Sequence, residues 1–109
     1  MRLYRLVIVL SFLLVSLNVN SQTNEDDINS LSIFSEYVKA KNYDAAYEPW
    51  MELRERNPKF NSAIFVYGER ILKYKIKNSS DEEKINYIND LGNLWNEKRI
   101  NFPNKTPLG

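Results

Sequence analysis

Two nine-residue stretches of this chain share one frame: Trp50, Glu52, Arg54 and Pro58 in the first, Trp95, Glu97, Arg99 and Pro103 in the second, each reading Trp-x-Glu-x-Arg-x3-Pro. A repeated frame in helical sequence implies one supersecondary unit used twice. Each unit carries an apolar face that it cannot bury alone, so such units stack into a solenoid. Function in that architecture is surface recognition rather than chemistry, and this is the expectation set for the chain.

The first 21 residues are of another kind. Arg2 and Arg5 precede an apolar run from Leu6 to Leu17, interrupted by Ser11 and Ser16, and Val19-Asn20-Ser21 places small residues where a signal peptidase reads them. This predicts an export signal over residues 1–21, cleaved to leave Gln22 first. The run falls short of the about 20 apolar residues that a membrane-spanning helix needs, so no stable membrane insertion is expected after signal removal. The mature protein is expected to be exported, either periplasmic or secreted. With Arg2 and Arg5 set aside, the 15 basic residues fall to 13 against 14 acidic ones, a net charge of −1. That balance offers no electrostatic case for nucleic acid.

From Gln22 to Asn29 the sequence turns polar, with Glu25, Asp26 and Asp27 in a row, and reads as a flexible leader. Leu31, Phe34, Tyr37 and Val38 then recur at helical spacing and predict a helix over 30–41, with Ser30 near its N-cap. Tyr43, Ala46, Tyr47, Trp50 and Leu53 predict a second helix, which stops where Asn57 precedes Pro58. Pro49 inside it predicts a kink or a late start. A third helix over 61–77 carries Ile64, Tyr67, Ile71 and Tyr74 on one stripe and Phe65, Leu72 and Ile76 on another. Apolar residues on two sides predict an inner helix with neighbours on both flanks. Ser80 to Glu83 has capping-box spacing. The fourth helix follows, its expected buried face Ile85, Ile88, Leu91 and Trp95, and Phe102-Pro103 closes it.

Tyr37, Tyr43, Ala46, Trp50 and Pro58 fall at the spacings of a tetratricopeptide repeat, which the stretch from Asn29 to Pro58 resembles. Ile64, Tyr67, Gly68, Ile71, Leu91, Trp95 and Pro103 form a weaker second unit, with Gly68 in the place of the family's small residue. The chain departs from the pattern at Phe34, where Gly or Ala is usual, and at Pro49. Its closing prolines are 45 residues apart against a period of about 34, and the excess is expected around Lys75 to Glu83 as a longer third helix or a loop. Tyr43, Ala46, Pro49 and Trp50 also resemble a Tyr-x-x-Ala-x-x-Pro-Trp segment of exported bacterial envelope repeat proteins.

The resemblance implies an all-α fold of about four helices, arranged as two antiparallel hairpins (30–58 and 61–103) in a short tetratricopeptide-like solenoid. Residues 104–109 would be a tail, or the cut edge of a longer array. It implies a protein or peptide partner held in a groove formed by the first helix of each hairpin. The groove positions that carry over are Leu31, Ser35, Val38 and Lys39, with Phe65, Glu69, Leu72 and Lys73. Lys39 and Lys73 could meet a carboxylate. Leu31 and Ser35, however, stand where carboxylate-clamp repeats carry asparagines, which favours reading both lysines as solvated helix faces.

Catalytic readings find little support. The chain has no histidine and no cysteine, which removes the commonest general base, the thiolate nucleophile and most zinc ligands. Asp81, Glu82 and Glu83 could hold a hard cation, but acids in a first helical turn are favoured by the helix dipole alone. Trp50 and Trp95 could be stacking platforms, and their helical spacing favours a core role instead. Tyr67, Tyr74 and Tyr87 could form an aromatic strip, on the same stripe as the packing residues. Asn78-Ser79-Ser80 and Asn104-Lys105-Thr106 fit the glycosylation triplet, relevant only to a eukaryotic secretory route. The leading expectation is therefore a non-catalytic protein-binding scaffold with no cofactor and no metal. The alternatives are a self-associating structural subunit, in which the open end of the solenoid pairs with a copy of itself, and an envelope enzyme or small-ligand binder using carboxylates and tyrosines.

Overall fold

The computed structural model describes residues 19–105, with side chains from Asn24 to Asn104. Four α-helices make up the described chain: α1 (Val19–Lys39), α2 (Tyr43–Arg56), α3 (Ala63–Asn78) and α4 (Asp81–Asn101), followed by a 3-10 turn at Pro103–Lys105. The protein is all-α. α1 packs on α2 and α3 on α4 as consecutive hairpins, while α3 also packs against α2 and α1. The two apolar stripes read on α3 account for this, because α3 is the helix with neighbours on both flanks.

The connections follow from capping chemistry. α1 ends with Lys41 N–H donating to Val38 O at 2.9 Å and Asn42 N–H to Tyr37 O at 2.8 Å. This pair of bonds is a Schellman ending, and it holds Lys41 at φ 60°, the left-handed region usually given to glycine. Asn42 then caps α2, its Oδ1 accepting from Ala45 N at 3.4 Å. At the start of α4, Ser80 Oγ accepts from Glu83 N at 3.4 Å, as the Ser-x-x-Glu spacing anticipates.

Three boundaries differ from the expectation. The stretch expected to be a leader, residues 22–29, is part of α1, which begins at Val19 rather than at Ser30. Asp27 explains the extension: it is 2% exposed, accepting from Arg56 Nε at 2.6 Å and Asn57 Nδ2 at 3.1 Å, while Arg56 also donates to Ser30 Oγ at 3.2 Å. Those bonds from the end of α2 give the buried Asp27, in a polar turn of α1, its partners. α2 runs through Pro49 without a late start. The excess spacing between the prolines resides in the helices, α4 having 21 residues, and only Ser79 and Ser80 separate α3 from α4. The expected signal segment lies outside the described residues except for Val19, Asn20 and Ser21, which open α1. Among the described residues no helix is long and apolar enough to cross a membrane.

The core is Phe34, Val38, Ala46, Trp50, Leu53, Ile64, Phe65, Ile71, Leu72, Leu91 and Leu94. Trp50 is its centre. The indole is fully buried, and its Nε1 donates to the backbone carbonyl of Ile64 at 2.7 Å. Gly68 makes that approach possible: a Cβ built there would stand 2.6 Å from Trp50 Cε2 and 2.7 Å from Nε1, well inside contact distance.

Candidate functional site

The face of α4 that turns inward is not the most apolar one. Ile85, Ile88 and Trp95, expected to be buried, are 60%, 49% and 43% exposed, whereas Leu91 and Leu94 are buried. The inner face carries Asp90 and Glu97, and the reason lies on α2. Arg54, 6% exposed, donates from Nη1 to Asp90 Oδ2 at 2.8 Å and from Nη2 to Asp90 Oδ1 at 2.9 Å. It donates from Nε to Glu97 Oε1 at 3.0 Å and from Nη2 to Glu97 Oε2 at 2.6 Å. The guanidinium also lies 5.1 Å from the Trp50 ring centroid. Burial works against its charge, but the two carboxylates outweigh it and push the Arg54 pKa further up. One arginine thereby ties α2 to α4 through two bidentate pairs.

The repeated frame is therefore not repeated in space. Trp50 is core while Trp95 is outward, its Nε1 donating to Glu69 Oε1 at 3.2 Å. Arg54 is buried while Arg99 is exposed and donates to Asn96 Oδ1 at 2.8 Å. Glu97 of the second stretch serves Arg54 of the first. The core role expected of both tryptophans holds for Trp50 and fails for Trp95.

The groove positions separate into two groups. Val38, Phe65 and Leu72 are core residues, with 2%, 2% and 0% exposure, and cannot line a groove: close packing between the helices takes them up. Leu31 and Ser35 are half-buried on α1. Lys39 is exposed and pairs with Glu36 at 3.9 Å. Lys73 is exposed and pairs with Glu69 at 3.3 Å, each lysine thus engaged by a carboxylate of its own helix. α1 and α3 meet where the Phe34 and Tyr67 rings pack edge to face, centroids 6.3 Å apart. Arg70, which the sequence reading did not single out, lies over Tyr67 at 5.6 Å, and Val66 beside it is 44% exposed. Beside the Phe34–Tyr67 contact, α3 thus presents Val66 and Arg70. The i, i+3 spacing of Tyr67 and Arg70 was the available signal for this pair.

The three tyrosines do not make a strip. Tyr67 packs on Phe34, Tyr74 on Tyr43 at 5.1 Å and Tyr87 on Tyr47 at 6.1 Å, so each joins a different pair of helices. The buried polar groups are committed to one another, since every buried side-chain nitrogen and oxygen among the described residues has a hydrogen-bond partner. A shallow depression lined by Ser32, Ile33, Glu36 and Tyr37 lies on α1 opposite its packed side. Compared with known proteins, the chain matches no family model, no curated protein and no solved structure.

Proposed function

We propose that this chain is a non-catalytic, exported adaptor of the tetratricopeptide type that binds a protein or peptide partner along the surface shared by α1 and α3. The observation that carries this reading is the side-by-side packing of α1 and α3, with Arg70 held over Tyr67 and Val66 exposed next to it. An exposed cation on an aromatic base beside apolar side chains suits a peptide carrying an acidic group next to an apolar one. On α1 this reading keeps Leu31, Ser35 and Lys39 from the expected groove, which are half-buried or exposed. Lys73 and Glu69, paired with each other, adjoin this surface on α3.

The experiment is a crosslinked pull-down from the native envelope with the tagged chain, run beside Arg70→Glu and Tyr67→Ala. A partner retained by the native chain and lost in both variants supports the adaptor. A partner retained by both, or none captured, removes the α1–α3 surface as the binding site.

A further inference from the structure

The outer face of α4 carries a seam that the other described residues leave uncovered. Asp81, Ile85, Ile88, Gly92, Trp95 and Arg99 follow one another at alternating steps of four and three residues, the spacing of the a and d positions of a two-stranded coiled coil. Ile85, Ile88 and Trp95 are exposed on it, and a Cβ built on Gly92 would meet nothing within 4 Å. The Glu69 carboxylate holds the Trp95 indole by its Nε1, so the ring stays on the seam.

We propose that this seam pairs with the same seam of a second copy, antiparallel and about a two-fold axis. Antiparallel packing sets each a position against a d position. On this seam that places Asp81 opposite Arg99 of the second copy, Ile85 opposite its Trp95, and Ile88 opposite its Gly92, each pair occurring twice by symmetry. Every pairing is complementary: acid with base, aliphatic with aromatic, and a branched side chain over the one position without a side chain. The parallel arrangement would set Asp81 against Asp81, Arg99 against Arg99 and hole against hole, so charge and volume both choose the antiparallel one. The helix dipoles agree, since the acidic first turn of one α4, with Asp81, Glu82 and Glu83, then faces the basic last turn of the other. This face is where the next hairpin of a stack would lie, and Arg70 and Tyr67, the residues that test the adaptor reading, are on α3 and not on the seam, so the two readings are tested by different variants.

Sedimentation equilibrium of the full chain across the micromolar range tests the dimer, with tryptophan emission as a second readout. The native chain is expected to pass from monomer to dimer with a blue shift as Trp95 is covered. A Cβ at position 92 meets nothing within 4 Å among the described residues, so Gly92→Glu is expected to keep the helical spectrum and raise the thermal midpoint of the monomer, because glycine is the poorer helix former. It is nevertheless expected to weaken the dimer at least about tenfold by filling the hole with charge. Asp81→Arg and Arg99→Asp should each weaken the dimer, and the double exchange should restore it. A native chain that stays monomeric throughout overturns the proposal. So does a dimer that tolerates Gly92→Glu, or a double exchange no better than its parts.

Discussion

The indole of Trp50 on α2 lies against the backbone of α3 at Gly68, close enough for Nε1 to bond the Ile64 carbonyl at 2.7 Å. The buried tryptophan and the glycine are thus one feature, a large side chain seated where another has been removed, and the contact between the two hairpins is built on it.

Gly68→Ala is expected to destabilise the protein by about 3 kcal/mol, because the added methyl collides with a ring that is hydrogen-bonded and enclosed. Gly92→Ala is the control: with open space around its Cβ, it should gain roughly 0.5–1 kcal/mol from helix propensity. Urea denaturation of the two variants should therefore move in opposite directions, and equal shifts would contradict the packing described here.

Arg54→Ala should cost about 3 kcal/mol, since it leaves Asp90 and Glu97 without their shared cation and uncovers part of the Trp50 ring. Arg54→Lys should recover less than half of that loss, because an ammonium cannot bond two carboxylates edge-on at once. Chemical denaturation of the pair reads this directly, and full rescue by lysine would show that charge alone matters.

Asp27 gives the fold an acid dependence of known sign. Burial acts to raise its pKa, but the Asn57 and Arg56 hydrogen bonds and the Arg56 charge prevail, and the result lies below the ordinary value of 3.8. The folded state therefore binds this proton less readily than the unfolded state. The stabilisation is fully present above that ordinary value and drains away as pH falls below it towards the folded pKa. Asp27→Asn should be less stable than the native chain at neutral pH, with the gap narrowing in acid. Thermal melts at pH 7 and at about pH 3 check this, and a gap that widens in acid would rule it out.

Lys41 is the one non-glycine residue with positive φ among those described. Lys41→Gly should stabilise the protein by roughly 0.5–1 kcal/mol by relieving the Cβ strain of the left-handed conformation. Ser32→Gly, at an exposed position in the interior of α1, should instead lose about 0.5 kcal/mol to helix entropy. Differential scanning calorimetry distinguishes the two.

Much of the fold was legible before any coordinates. Period and punctuation placed α2, α3 and α4, and the two stripes of α3 marked it as the inner helix, because both signals are local: apolar spacing, the Ser80 cap and the Asn57-Pro58 stop act within a few residues. The early start of α1 was not legible, since Asp27 looks like leader sequence until Arg56 and Asn57 are brought to it from the far end of α2.

The inner face of α4 and the make-up of the α1–α3 surface were likewise settled only by the assembled helices. By hydrophobicity alone Ile85, Ile88 and Trp95 belong inside and Asp90 and Glu97 outside. Arg54, itself buried, reverses this by offering two half-buried acids a shared partner, leaving the apolar seam outward. The resemblance to a tetratricopeptide repeat put Val38, Phe65 and Leu72 in a binding groove, and close packing drew them into the core. Periodicity reports that a helix has a distinctive side. Which side is buried depends on what another helix, distant in the chain, brings to meet it.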